Sequence, residues 1–112
     1  MREYKTWTDA RTHCESLNGL MLEVRSLEEL QIAIMFVNAT GHPSIWLGGT
    51  DKRTEGRWKW NSDNTNIDMN SFWQDNQPSQ DTGDEDYLAV HFSGVFFDAR
   101  SHQLKPFVCT IL

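Results

Sequence analysis

The chain has 112 residues, enough for one domain and too few for two ordinary ones. It is 38% hydrophobic and 23% charged, a globular rather than a disordered profile. Ten Lys and Arg against sixteen Asp and Glu leave −6, which argues against nucleic-acid backbones and anionic membrane surfaces as partners, since both need a basic face.

The first predicted helix opens at Thr6, with Asp9 three residues on in the capping-box position. Trp7, Ala10, Cys14 and Leu17 then form one apolar stripe, and Asn18-Gly19 is a C-terminal stop. A short strand is expected over 20–24. The second helix starts at Ser26 with Glu29 as its capping partner, and Leu27, Leu30, Ala33, Ile34 and Val37 are expected to face the core until 38–43 breaks the pattern. The run 32–37 within it is too short to span a bilayer, so no membrane insertion is expected.

Ile45-Trp46-Leu47-Gly48-Gly49 reads as a buried strand whose glycines permit close backbone approach. Trp58 and Trp60 alternate with Arg57, Lys59 and Asn61, the period of a half-buried strand. Further strands are expected at 87–92, 95–97 and 107–112. Two helices followed by a strand-rich half make the chain α+β.

Between them the composition changes. Residues 61–99 contain no Lys or Arg and eight carboxylates, so this stretch carries −8 and the remainder +2. Such a block is either a solvated face or a site for a hard cation. Ca²⁺ takes six to eight oxygens from carboxylates, amide carbonyls, backbone and water, and the segment supplies those groups with no competing cation. Phe72 and Trp73 within it argue for a loop folded back on the core. No twelve-residue EF-hand spacing appears. The four histidines lack zinc spacing, no nucleophile elbow is present, and no apolar cleft marks a carboxylate for acid catalysis, so an enzyme is not expected.

Cys14 and Cys109 belong to no metal-binding pair. They either close a loop of roughly 100 residues, which the chain-entropy model values at about 4–5 kcal/mol, or remain buried thiols. The sequon Asn38-Ala39-Thr40 fits an oxidising, secreted setting.

An ordered series of motifs now accumulates: Trp7-x-x-Ala10-x-x-x-Cys14, Trp46-Leu47-Gly48-Gly49, Glu55-Gly56-x-Trp58-x-Trp60, Trp73, Gln77-Pro78-Ser79 and Phe107-Val108-Cys109. In this order it resembles the C-type lectin-like domain, over nearly the whole chain. The resemblance implies one such domain over 1–112 with a truncated first strand: two helices flank small antiparallel sheets, and a long irregular loop follows. It also implies a Cys14–Cys109 disulfide. A second disulfide usual in the family is missing, its positions being Tyr87 and Ser101.

The family's sugar site is a Ca²⁺ whose open positions accept two adjacent sugar hydroxyls. The resemblance carries its ligand positions onto Gln77, Ser79, Glu85, Phe97 and Asp98. Gln77, Glu85 and Asp98 can ligate, Ser79 is a poorer ligand, and Phe97 cannot ligate. With two carboxylates left, the expected affinity is weak, on the order of millimolar. An auxiliary Ca²⁺ site matches Asp51, Glu55 and Asp86. Trp73, beside the loop, is the Trp expected to serve packing first and ligand contact second.

The expected function is extracellular recognition of a glycan or glycoprotein with partial Ca²⁺ dependence. The alternative is Ca²⁺-independent recognition of a protein ligand, with Phe96 and Phe97 presenting adjacent apolar surface.

Overall fold

The computed structural model describes residues 4–50, 58–63, 65–67 and 87–111. Helix α1 (Trp7–Ser16) begins where the Asp9 amide donates to Thr6 Oγ1 at 3.3 Å. It ends at Leu17, followed by Asn18 at φ 60°, a left-handed stop that Asn tolerates better than most residues. Helix α2 (Leu27–Thr40) is capped in the same way by Ser26, which accepts from the Glu29 amide at 3.2 Å. The Glu29 carboxylate reaches back to the Arg25 amide at 2.7 Å, one residue further out than a capping box requires. Gly41, at φ 73°, closes the helix.

Trp7, Ala10 and Cys14 are buried as their spacing predicts, and so are Leu30, Ala33 and Val37. Two expectations fail at the helix ends. Leu17 is 49% exposed and Leu27 61% exposed. Each occupies a terminal position, where the backbone leaves the helical path and the stripe no longer points at the core.

Among the described residues, six strands follow the chain order β1 (Gly19–Met21), β2 (Ser44–Thr50), β3 (Lys59–Trp60), β4 (Tyr87–His91), β5 (Phe96–Ala99) and β6 (Cys109–Ile111). They form an antiparallel sheet in the order β3-β2-β4-β5 and a two-stranded sheet β1-β6. Of the expected strand over 107–112, the described part is Cys109–Ile111, and Pro106 before it has no N–H to donate. Its carbonyl instead accepts from the Trp46 amide at 3.0 Å. Leu22 joins the two sheets, donating to the Val108 carbonyl and accepting from the Gly48 amide, each at 2.9 Å.

The four-stranded sheet lies between the helices. Alternation along β2, β4 and β5 sends Ile45, Leu47, Leu88, Val90 and Phe96 toward α2, where Trp58, Trp60 and Ile67 complete the cluster. Trp46, Tyr87, Ala89 and Ala99 go the other way, toward Trp7, Ala10 and Cys14 of α1. Two indole N–H groups are anchored to the backbone: Trp7 to the Leu47 carbonyl at 2.7 Å and Trp46 to the Lys5 carbonyl at 2.8 Å. Cys14 and Cys109 are disulfide-bonded, pinning α1 to β6 across 95 positions. Beside them Lys5 and Lys105 exchange backbone hydrogen bonds of 3.1 and 3.0 Å, so the chain's two ends run together.

Candidate functional site

Of the residues the sequence singles out for binding, the structure describes Asp98. It lies on β5, the edge of the four-stranded sheet, opposite Leu88 of β4. It shares a sheet face with Phe96, two residues before it, whose ring meets Trp60 edge-on at 6.4 Å. Asp98 is only 4% exposed. A carboxylate at that depth is held by polar contacts or a cation rather than by water. Gln77, Ser79, Glu85 and Trp73, and the second cation set Asp51, Glu55 and Asp86, lie outside the described residues. Among the described residues, no three His, Cys, Asp or Glu side chains gather in a metal-holding group.

The adjacent aromatic pair does not form the surface expected of it. Phe96 is 1% exposed and belongs to the core beneath α2. Phe97 packs against the cluster on the α1 side. Neighbours along a strand point to opposite faces, so the two rings never present one patch. Phe97 instead lies beneath a cation, the Lys105 ammonium, 5.2 Å from its ring centre and 5.5 Å from that of Trp46.

Lys105 escaped the sequence reading. It is 7% exposed, and its Nζ donates to Ser44 Oγ at 2.9 Å. Burial pushes the Lys105 amine below its ordinary value. A basic residue before a proline, outside any expected strand, gives no signal of burial by itself.

A second cluster was also missed. Arg25 reaches Glu23 at 2.6 Å and Asp63 at 3.0 Å, and its guanidinium lies 5.6 Å from the centre of the Trp60 ring. Glu23 accepts from the Ser62 amide at 3.1 Å and from the Ser62 hydroxyl at 2.8 Å. Asp63 accepts from the Thr65 amide at 3.1 Å and its hydroxyl at 2.7 Å, an Asx turn. The Arg25 and Thr65 hydrogen bonds hold the Asp63 carboxyl well below the usual carboxylate range. This turn follows β3 at the start of the acidic segment. The Ser62-Asp63-x-Thr65 pattern was the available signal for it.

Tyr87, one of the two positions where the resemblance implies an absent second disulfide, stacks on Trp7 with ring centres 4.8 Å apart and planes 26° from parallel.

The sequence matches the model of the "Lectin C-type domain" over residues 3–111. The chain belongs to the C-type lectin domain family. It is 36% identical over 80 residues to C-type lectin domain family 4 member F of Rattus norvegicus, a match covering 69% of this chain and 14% of that protein. The chain thus spans about one seventh of that relative's length. Among solved structures it resembles the human scavenger receptor C-type lectin carbohydrate-recognition domain, with a TM-score of 0.84 and 27% identity, covering 96% of this chain and 83% of that one. A second is the cow carbohydrate-recognition domain of CD23 in the presence of a GlcNAc2Man3 oligosaccharide, with a TM-score of 0.82 and 30% identity, covering 96% and 81%.

Two helices with small antiparallel sheets are the C-type lectin fold, and the Cys14–Cys109 bond anticipated from the resemblance is present. Lectins as a class are binding modules, and carbohydrate recognition is the activity these relatives support.

Proposed function

We propose that this chain is an extracellular carbohydrate-recognition module, one domain over 1–112, with weak and partial Ca²⁺ dependence. Its primary site is formed by Gln77, Ser79, Glu85 and Asp98 with Trp73 beside it, and Asp51, Glu55 and Asp86 form an auxiliary cation set. The observation that carries this reading is Asp98, an acid kept at the sheet edge opposite Leu88, which follows Glu85 by three residues in the sequence. The donors are all oxygens, as a hard cation requires. A Ca²⁺ held by them would offer open coordination positions to two adjacent sugar hydroxyls. Asp98 and Glu85 supply charge, Gln77 an amide oxygen, and Ser79 a short hydroxyl. Phe97 contributes none, which is the reason for the weak dependence. The disulfide supports the extracellular setting, because such bonds persist in oxidising compartments.

Calorimetric titration of Ca²⁺, with and without galactose or mannose, tests the proposal. Binding on the order of millimolar is expected, with Asp98→Asn weaker by roughly tenfold or more because one ligand charge is gone. Absence of heat and of sugar retention up to ~10 mM Ca²⁺ overturns it.

A second reading, Ca²⁺-independent recognition of a protein ligand by the same long segment, is favoured by Phe97. Its ring packs toward α1 and replaces a ligand side chain with none. Under that reading Asp98→Asn binds its partner as well as the parent does, and a chelator leaves binding unchanged.

A further inference from the structure

We propose that Asn38 carries an N-linked glycan, and that its first sugar lies in the groove between the C-terminal end of α2 and Phe92. The sequence Asn38-Ala39-Thr40 is a complete acceptor, with Thr in the third position and no proline in the second. Asn38 is exposed, and among the described residues no hydrogen bond engages its side chain. The half-buried Thr40 hydroxyl donates to the Val37 carbonyl at 2.7 Å and accepts from the His42 amide at 3.1 Å, so the acceptor is read on the nascent chain before these bonds form. It also sits within the last turn of α2, three residues before the left-handed Gly41, where the helix stops. A substituent there extends from the end of an element without displacing a packed neighbour.

The surroundings suit a sugar. Asn38 lines an open groove of about 320 Å³ together with His42, Pro43 and Phe92, at the small end of the range for ligand pockets. Phe92 is 52% exposed. Its backbone is fixed by donation to the Pro43 carbonyl at 3.0 Å, and its ring packs on His91 with centres 4.1 Å apart. An exposed ring held on a rigid turn offers a π-face to the C–H face of a pyranose, an attraction of apolar area and ring quadrupole together. The half-buried His42 puts a polar ring on the same groove. Phe92 follows β4 directly, whereas residues 77–86, which carry most of the proposed ligands, precede that strand at Tyr87, its other end. The glycan therefore covers an apolar groove remote in the sheet from where the candidate binding segment meets it. The inference rests on the extracellular reading only for its relevance to the native setting.

The test places the full chain behind a cleavable secretory signal peptide in human cells and measures intact mass on all of the protein made. The expected result is one added N-glycan, removed by peptide-N-glycosidase and absent from Asn38→Gln and from Thr40→Ala. Protein with its disulfide formed and of unmodified mass overturns the proposal and leaves the lectin reading standing. Loss of sugar binding by a fully glycosylated chain would do the reverse. For the groove, the melting temperature is compared with the glycan trimmed to its first sugar and with it fully removed. The trimmed form is expected to melt several degrees higher, and Phe92→Ala to abolish that difference. An unchanged difference in Phe92→Ala overturns the packing of the sugar on Phe92.

Discussion

Arg25 shows how one side chain can hold segments that are distant in sequence. Its contacts with Glu23 and Asp63 fasten the turn after β3 to the stretch leading into α2. Asp63 is about half exposed, so solvent screens the pair and its effect on stability is modest. The sign is nonetheless determined. The folded carboxyl titrates below the unfolded one, so its stabilisation is present above about pH 3.9 and is lost as pH falls from there toward the folded value. Asp63→Asn is expected to lower the urea midpoint at pH 7, with the gap to wild type narrowing below about pH 4. A gap unchanged down to pH 2 would remove Asp63 from the account. Tyr87 is the other informative single position. Stacked on Trp7, it ties β4 to α1 through buried apolar area. Truncating it to Ala should cost about 3–5 kcal/mol, against little for Tyr87→Phe, as read from denaturant midpoints.

At the scale of elements, β2 carries the most constraint. It pairs Trp46 with Ala89 and Thr50 with Tyr87, so four steps on β2 match two on β4 and the strand bulges between. Gly48 and Gly49 occupy that stretch. A Cβ on Gly49 would come within 2.7 Å of Ile67 Cδ1 and 2.8 Å of Leu88 Cδ2. Gly49→Ala should therefore overpack the core and cost about 1–3 kcal/mol, measurable as a shift in urea midpoint at unchanged slope.

Both glycines were legible in the sequence as a place of close approach, and the helices were legible from their caps and stripes. What failed followed from geometry that periodicity does not contain. Leu17 and Leu27 sit in register with their stripes but at helix ends. Phe96 and Phe97 are adjacent in sequence and therefore on opposite faces of a strand. Lys105 is buried by residues brought from β2 and β5, and no local pattern announces that. For the candidate site, Asp98 holds a ligand position that only the resemblance implies, and that role stays with the proposal. The other positions carried over, from Asp51 to Asp86, fall outside the described residues and stay with the proposal.

For the molecule as a whole, the bond between Cys14 and Cys109 sets the scale of stability. Replacing both cysteines by Ser should lower stability by about 2–5 kcal/mol, seen as an earlier urea transition. The parent in reductant should move the same way. An unaltered midpoint would show that packing alone closes the domain. The same bond governs how the molecule responds to tension. A pull on the two ends first loads the Lys5–Lys105 bridge and then the β1–β6 ladder. On the N-terminal side it also works against the hydrogen bonds from Lys5 and Trp7 to β2, and once these yield the sulfurs carry it. Every residue from 15 to 108 belongs to a covalently closed circuit that the load bypasses, so the sheet edge bearing Asp98 should keep its shape on a chain under strain. Stretching in an optical trap should release only the short tails flanking the bond until a reductant is added.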